Sequence, residues 1–321
     1  MEIKGMTYGY MAGRGDYRSI PASISQDRMY ELGINWVCVP VVNYQKDINS
    51  TKIYRKYSDP SDRDLMFLIQ RAHEKGVRVC LKPMVNSEDY MWRAFIGKSW
   101  SQGNEADPTW DKWFKSYTEF ILYYAELAEE TSCGMFCIGC EMLGTEHREH
   151  DWNTLIQRVR SIYSGEVDYN TNHHAEEGAK WFDKLDYIAT SAYYCVGSEG
   201  VDKDSMKKEW EKVKTRLDHL AKKKDKQYLF MEIGCRSGQG CSKMPWDFDQ
   251  KVPPSEEEQA TFYESCLETF AGCPHFVGAF WWDWSTVLPY SRLLETRLDI
   301  GYDIAYKEAE QVLKKYYNLS L

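Results

Sequence analysis

Several things are scarce in this chain, and each scarcity closes off a class of function. Positive charge is in deficit: 40 Lys and Arg face 49 Asp and Glu, a formal net charge of −9, with an isoelectric point near 5.4. That balance argues against docking onto a phosphate backbone or an anionic bilayer, so neither nucleic acid nor membrane is an expected partner. No apolar stretch is long enough for a signal peptide or a membrane span, and the chain starts directly on a strand-like run, Met1-Glu-Ile-Lys-Gly-Met-Thr-Tyr8. The expected location is the cytoplasm, a signal peptide already removed being the other reading. No glycine-rich phosphate loop, nucleotide fingerprint or Ser-His-Asp set is spelled out, and Gly13-Arg-Gly-Asp-Tyr17 lacks the glycine spacing that such a loop needs. No cofactor is therefore expected.

Nor do the ten cysteines read as a disulfide framework. Cys38, Cys80, Cys137 and Cys195 fall inside apolar strand runs, where small buried thiols of a reducing compartment are expected. Cys133, Cys137 and Cys140 match no common zinc spacing, and on an alternating strand they would not all face one way, so no metal is expected.

Linkers, low-complexity segments and repeats are also missing, so nothing subdivides the 321 residues. Short apolar runs instead alternate with longer amphipathic stretches. The runs are residues 3–10, 35–42, 77–85, 135–142, 167–172, 187–195, 228–234 and 277–284. Several are near-continuous Val, Ile, Leu, Phe, Cys and Met, as strands buried on both faces should be. Helical patterns over 62–75, 110–130, 152–163, 203–224, 255–271 and 305–317 lie between or after them, and the fifth connection, 175–184, has the weakest helical pattern. Ser255-Glu-Glu-Glu after Pro253-Pro254 is a helix entry with acids on the positive end of the dipole, and Gly76 reads as a helix C-terminal cap. Eight strand-then-helix units predict one (β/α)8 TIM barrel spanning 1–321 as a single catalytic domain.

Functional groups in such barrels gather at the carboxyl ends of the strands. Here those ends are polar and aromatic. The third runs out as Lys82-Pro-Met-Val-Asn86, followed by Tyr90-Met-Trp92-Arg93; the fifth ends with Asn170-Thr-Asn172-His173-His174. The sixth ends at Tyr193-Tyr194, and Arg236 follows the seventh. The eighth closes on Phe280-Trp281-Trp282-Asp283-Trp284, where alternation predicts Trp282 and Trp284 on one face and Trp281 and Asp283 on the other. With 12 Trp, 23 Tyr and 12 Phe, the chain has aromatic faces to spare as platforms for sugar rings. Two glutamates end apolar runs: Glu141 in Met135-Phe-Cys-Ile-Gly-Cys-Glu141-Met and Glu232 in Tyr228-Leu-Phe-Met-Glu232-Ile-Gly. Either alone reads equally well as a strand cap. Two carboxylates on separate strand ends are the equipment for breaking a glycosidic bond.

Glutamates ending the fourth and seventh strands, with an aromatic eighth-strand end, resemble the clan A retaining glycoside hydrolases. More narrowly, the chain resembles glycoside hydrolase family 113, the β-mannanases. The matching segments are Gly5-Met-Thr-Tyr8-Gly9, Leu81-Lys-Pro83 with Asn86 and Trp92-Arg93, Ile138-Gly139-Cys140-Glu141, Ala192-Tyr193-Tyr194, Met231-Glu232-Ile-Gly234 and Phe280-Trp-Trp282-Asp-Trp284. The resemblance implies a retaining hydrolase of β-1,4-mannosidic bonds in mannan or manno-oligosaccharides, with Glu141 as acid/base and Glu232 as nucleophile. Most of the wider clan carries Asn immediately before the acid/base, where it bonds the substrate 2-hydroxyl; this chain has Cys140, a departure that favours the narrower resemblance to family 113. Asn86, Lys82 and Asn172 are then the candidates for that hydroxyl.

Retention calls for carboxyl groups about 5–5.5 Å apart, with Glu141 protonated and Glu232 ionised. One of Tyr193 and Tyr194 should donate to Glu232, and Tyr194 is the expected donor. Trp282 is the expected platform under the ring being cleaved, with Trp92, Trp284, Tyr8 and Tyr10 at neighbouring subsites and Arg93 beside them. His173 and His174 read as solvated or structural. The competing readings are another clan A β-glycanase or exo-acting β-mannosidase, and, in a different class, a non-catalytic glycan-binding barrel.

Overall fold

The computed structural model describes residues 1–100, 108–198, 200–289 and 299–319. Eight strands close a barrel in chain order: β1 (Ile3–Tyr8), β2 (Trp36–Gln45), β3 (Arg78–Ser87), β4 (Met135–Cys140), β5 (Glu166–Asn172), β6 (Ile188–Ser191), β7 (Tyr228–Ile233) and β8 (Phe276–Trp284). All eight runs read from the sequence are strands. Among the described residues seven α-helices accompany them: α1 (Ile20–Tyr30), α2 (Asp62–Glu74), α3 (Pro108–Glu130), α4 (Glu149–Arg160), α5 (Lys203–Lys224), α6 (Glu256–Phe270) and α7 (Glu308–Asn318). The fifth connection carries only a 3-10 turn, Lys180–Lys184. By contact the chain falls into two compact units, one made of Met1–Tyr10, Arg18–Val37 and Ser191–Leu321, the other of Met11–Tyr17 and Cys38–Thr190.

In the second unit, β3 and β4 pair in parallel through Cys80↔Met135 and Leu81↔Phe136. β4 and β5 pair from Met135↔Glu166 to Cys140↔Asn170, with a register shift between Cys137 and Cys140. A capping box starts α2: Ser61 accepts from the Asp64 N–H while Asp64 accepts from the Ser61 N–H at 2.7 Å. Gly76, at φ 73°, ends the helix as expected. Aromatic rings fill the layer between helices and strands, with Trp113 stacked on Tyr117 at 4.7 Å and Trp152 on Trp181 at 4.5 Å.

In the first unit, β1 pairs with β8 through Gly5↔Phe280 and Met6↔Trp281. Gly5 is required there, because a Cβ would lie 2.7 Å from the Ala279 carbonyl oxygen. Trp210 of α5 packs among Phe230, Phe262 and Phe270. Seven tryptophans (110, 113, 152, 181, 210, 281 and 284) are fully buried, so most of the aromatic surplus is core rather than platform.

Cys38, Cys80 and Cys137 are buried free thiols, as expected. Cys195 corrects the same expectation. It is exposed, because β6 stops at Ser191 and leaves residue 195 in a loop.

Candidate active site

Glu141 is the first residue past β4, and its backbone is left-handed at φ 53°. For a residue with a Cβ that conformation costs about 1 kcal/mol, and local hydrogen bonds hold it. The Glu141 N–H donates to the Asn170 carbonyl at 2.8 Å. Its carboxylate Oε1 accepts from Asn172 Nδ2 at 3.2 Å, and Oε2 accepts from the Trp92 indole N–H at 3.2 Å. The Arg93 guanidinium lies 3.5 Å from Oε2.

Arg93 ties this cluster together. It donates to the Val85 carbonyl at 3.1 Å, to Asn86 Oδ1 at 2.6 Å and to Cys140 Sγ at 3.6 Å. Arg93 and Glu141 keep 12% and 13% side-chain exposure, so the cluster is desolvated but reachable. Asn86, Trp92, Arg93 and Asn172, four of the residues expected from the sequence, thus converge on Glu141 within one unit. Asn170, quoted with the polar end of the fifth strand but given no role there, joins them: its Nδ2 donates to Cys140 Sγ at 3.2 Å, next to Glu141.

Glu232 sits inside β7 with 5% exposure. Its carbonyl accepts from the Ala192 N–H at 2.6 Å, and its Oε2 accepts from the Tyr193 hydroxyl at 3.2 Å. The donor is therefore Tyr193, not Tyr194. Tyr194 turns the other way: its ring lies 6.1 Å from Trp210 and 6.3 Å from Phe230, and its hydroxyl accepts from Arg216 at 3.2 Å. Arg236 clamps the loop after β7, donating to the carbonyls of Ile300 at 2.8 Å and Gln250 at 3.0 Å.

The eighth-strand aromatics divide differently from simple alternation. Met6 pairs with Trp281 but Tyr8 pairs with Trp284, a register shift that puts one extra residue on β8. Trp281 and Trp284 are both buried, and Trp282 and Asp283 are both part-exposed. Trp284 donates to Ser25 Oγ at 3.0 Å, while Trp281 stacks on Tyr263 at 3.9 Å. Trp282, whose peptide to Asp283 is cis, meets Tyr10 with ring centroids 4.7 Å apart.

Three further expectations are corrected. Trp284 is a packing residue, not a subsite. Tyr8 is fully buried, its hydroxyl donating to the Ala22 carbonyl at 3.0 Å, so it fastens β1 to α1. Lys82 is also fully buried, with its ammonium near the Cys80 and Cys137 thiols, and presents no surface to a ligand. Of the connection from β3 to α3, residues 101–107 lie outside the described residues.

The chain matches the family model for Glycoside Hydrolase Family 113 over residues 6–307. It belongs to glycoside hydrolase family 113. Two solved GH113 β-1,4-mannanases superpose with TM-scores of 0.90: one at 34% identity, covering 99% of both chains, and a second, solved as a complex, at 33%, covering 100% of both. The GH113 β-mannanase AaManA from Alicyclobacillus acidocaldarius, solved in complex with ManMIm, is 33% identical over 98% of this chain and 96% of its own, with a TM-score of 0.88. No curated protein sequence is similar enough to match. As a family 113 glycoside hydrolase the protein is an enzyme, and its Cys140 is held by Asn170 and Arg93 where the wider clan places an asparagine.

Proposed function

We propose that this family 113 enzyme hydrolyses β-1,4-mannosidic bonds in mannan or manno-oligosaccharides with retention of configuration, Glu232 acting as nucleophile and Glu141 as acid/base. Glu232 attacks the anomeric carbon as the C–O bond to the leaving sugar breaks, and Glu141 gives its proton to the departing oxygen. Water then attacks the glycosyl-enzyme while Glu141 takes one of its protons, returning both carboxyl groups to their starting states. The Tyr193 hydroxyl on Oε2 orients Glu232 and stabilises its charge. Trp282 is our choice for the surface under the sugar ring, since it alone of the three β8 tryptophans is part-exposed.

Asn172 and Asn86 are the groups we assign to sugar hydroxyls. Asn172 suits the role because its Nδ2 already lies at the Glu141 carboxylate, 3.2 Å from Oε1, beside the bond to be cleaved. The observation that carries the reading is the likeness to β-1,4-mannanases at 33–34% identity over essentially the whole chain. Its test is a product profile on β-1,4-mannohexaose beside xylohexaose and cellohexaose. Shorter manno-oligosaccharides from the first, with little from the others, are expected. Inactivity on all three would refute the reading, and preference for xylohexaose or cellohexaose would move the enzyme to another β-glycanase class.

A further inference from the structure

Beyond Glu141 lies a second, largely buried carboxyl that the reaction as described does not use. Glu146 belongs to the short segment after β4 and is buried. Its Oε1 accepts two hydroxyls from β5, Tyr169 at 2.8 Å and Thr171 at 3.2 Å. Tyr169 has only one hydroxyl proton, and Glu146 receives it. The lone pairs of that oxygen are thereby turned toward the chain beside it, where the Met142 N–H donates at 2.9 Å. Met142 directly follows Glu141, so this bond holds the peptide immediately after the left-handed residue.

Other contacts fix the pieces around that peptide. The Met142 carbonyl accepts from both the N–H and the hydroxyl of Thr145 at 2.9 Å. The Thr145 and Glu146 carbonyls accept the indole N–H groups of Trp152 at 3.0 Å and Trp181 at 2.9 Å. The Tyr169 ring is enclosed by Trp152, Trp181 and Phe182 at centroid distances of 5.2, 5.0 and 5.5 Å. Gly139 lets the ring come close, since a Cβ there would lie 2.9 Å from Tyr169 Cε2. The result is a rigid mount with one polar output, the acceptor presented to Met142.

We propose that Glu146 and Tyr169 are a positioning pair for the proton donor, locking the Glu141–Met142 peptide so that the Glu141 carboxyl is aimed at the leaving oxygen. The inference rests on the reading of Glu141 as acid/base. Neither residue touches substrate; both act through the backbone of residue 142. Only the acceptor on Glu146 matters for this role, so a glutamine, whose amide oxygen also accepts, should replace it.

The test separates a misaimed acid from a loosened fold by changing the leaving group. Hydrolysis of β-1,4-mannohexaose needs the proton in its first step, whereas 2,4-dinitrophenyl β-mannobioside has a leaving group that needs none. For Tyr169→Phe, kcat/KM on mannohexaose should fall roughly 10–100-fold, part of the usual worth of general acid catalysis, and change less than about 3-fold on the aryl substrate. Glu146→Leu should show the same split and Glu146→Gln should restore near-native values on both. Equal losses on the two substrates, no loss for Tyr169→Phe, or Glu146→Gln behaving like Glu146→Leu would each overturn the inference. Should Tyr169→Phe fail to fold, the comparison of the two Glu146 variants decides alone. Wild-type inactivity on mannohexaose, or Glu141→Gln retaining full activity on it, would instead strike at the underlying reading.

Discussion

At the scale of single residues, the two adjacent tyrosines after β6 give the sharpest contrast. Tyr193 donates to Glu232, whereas Tyr194 is packed against α5 and accepts from Arg216. A hydrogen bond to a charged group is worth about 1.5–3 kcal/mol, so Tyr193→Phe should lower kcat/KM on mannohexaose by roughly 10–100-fold. Tyr194→Phe should change it by less than about 3-fold, because only a contact remote from Glu232 is lost. Steady-state kinetics of the two variants check this, and the reverse ranking would refute the assignment. That neighbouring side chains point opposite ways was legible in the sequence; which of the two faces Glu232 was not. The phase of the alternation is set by the ladder, and here the ladder ends at Ser191, two residues earlier. The convergence of Asn86, Trp92, Arg93 and Asn172 on Glu141 was legible as strand-end chemistry; Asn170 stood in the same strand end, but its contact to Cys140 was not legible, since a contact to a thiol leaves no motif.

Elements were read well where burial is periodic and poorly where it is not. Short apolar runs, several of them near-continuous, marked all eight strands. Helix α1 escaped separate notice because its faces are inverted: Ile20 and Ile24 are 77% and 47% exposed while Ser25 and Gln26 are buried. On β8, simple alternation sorted the tryptophans wrongly because a register shift against β1, invisible to a period-two pattern, moves Trp284 into the packing against Ser25. The segment from Glu141 to Glu146 gives a prediction of its own. Burial raises the Glu146 carboxyl from an ordinary 4.5 to about 7, outweighing the Tyr169 and Thr171 hydroxyls that favour its charge. Between those values the folded protein keeps a proton that the unfolded chain has released. Its contribution is therefore complete below about pH 4.5 and is lost as pH rises through 7, a difference of up to about 3 kcal/mol. Glu146→Gln carries no such titration, so its melting temperature should fall less than the wild type's between pH 5 and 8. Parallel melting curves with equal pH slopes would contradict this.

At the scale of the whole molecule, the order of strands and helices carried most of the reading, and the place of each glutamate within that order carried the rest. A glutamate ending an apolar run is ambiguous alone. Glu141 follows the fourth barrel strand and Glu232 lies within the seventh of a family 113 chain, and on that placement we assign them separate chemical duties. The measurement that tests this most directly is azide rescue of Glu232→Ala on 2,4-dinitrophenyl β-mannobioside. The variant should be inactive alone, and added azide should restore turnover and yield the α-glycosyl azide, because a small anion takes the place of the missing carboxylate on the same face of the sugar. Recovery of the β-glycosyl azide, or undiminished turnover without azide, would show that Glu232 is not the nucleophile.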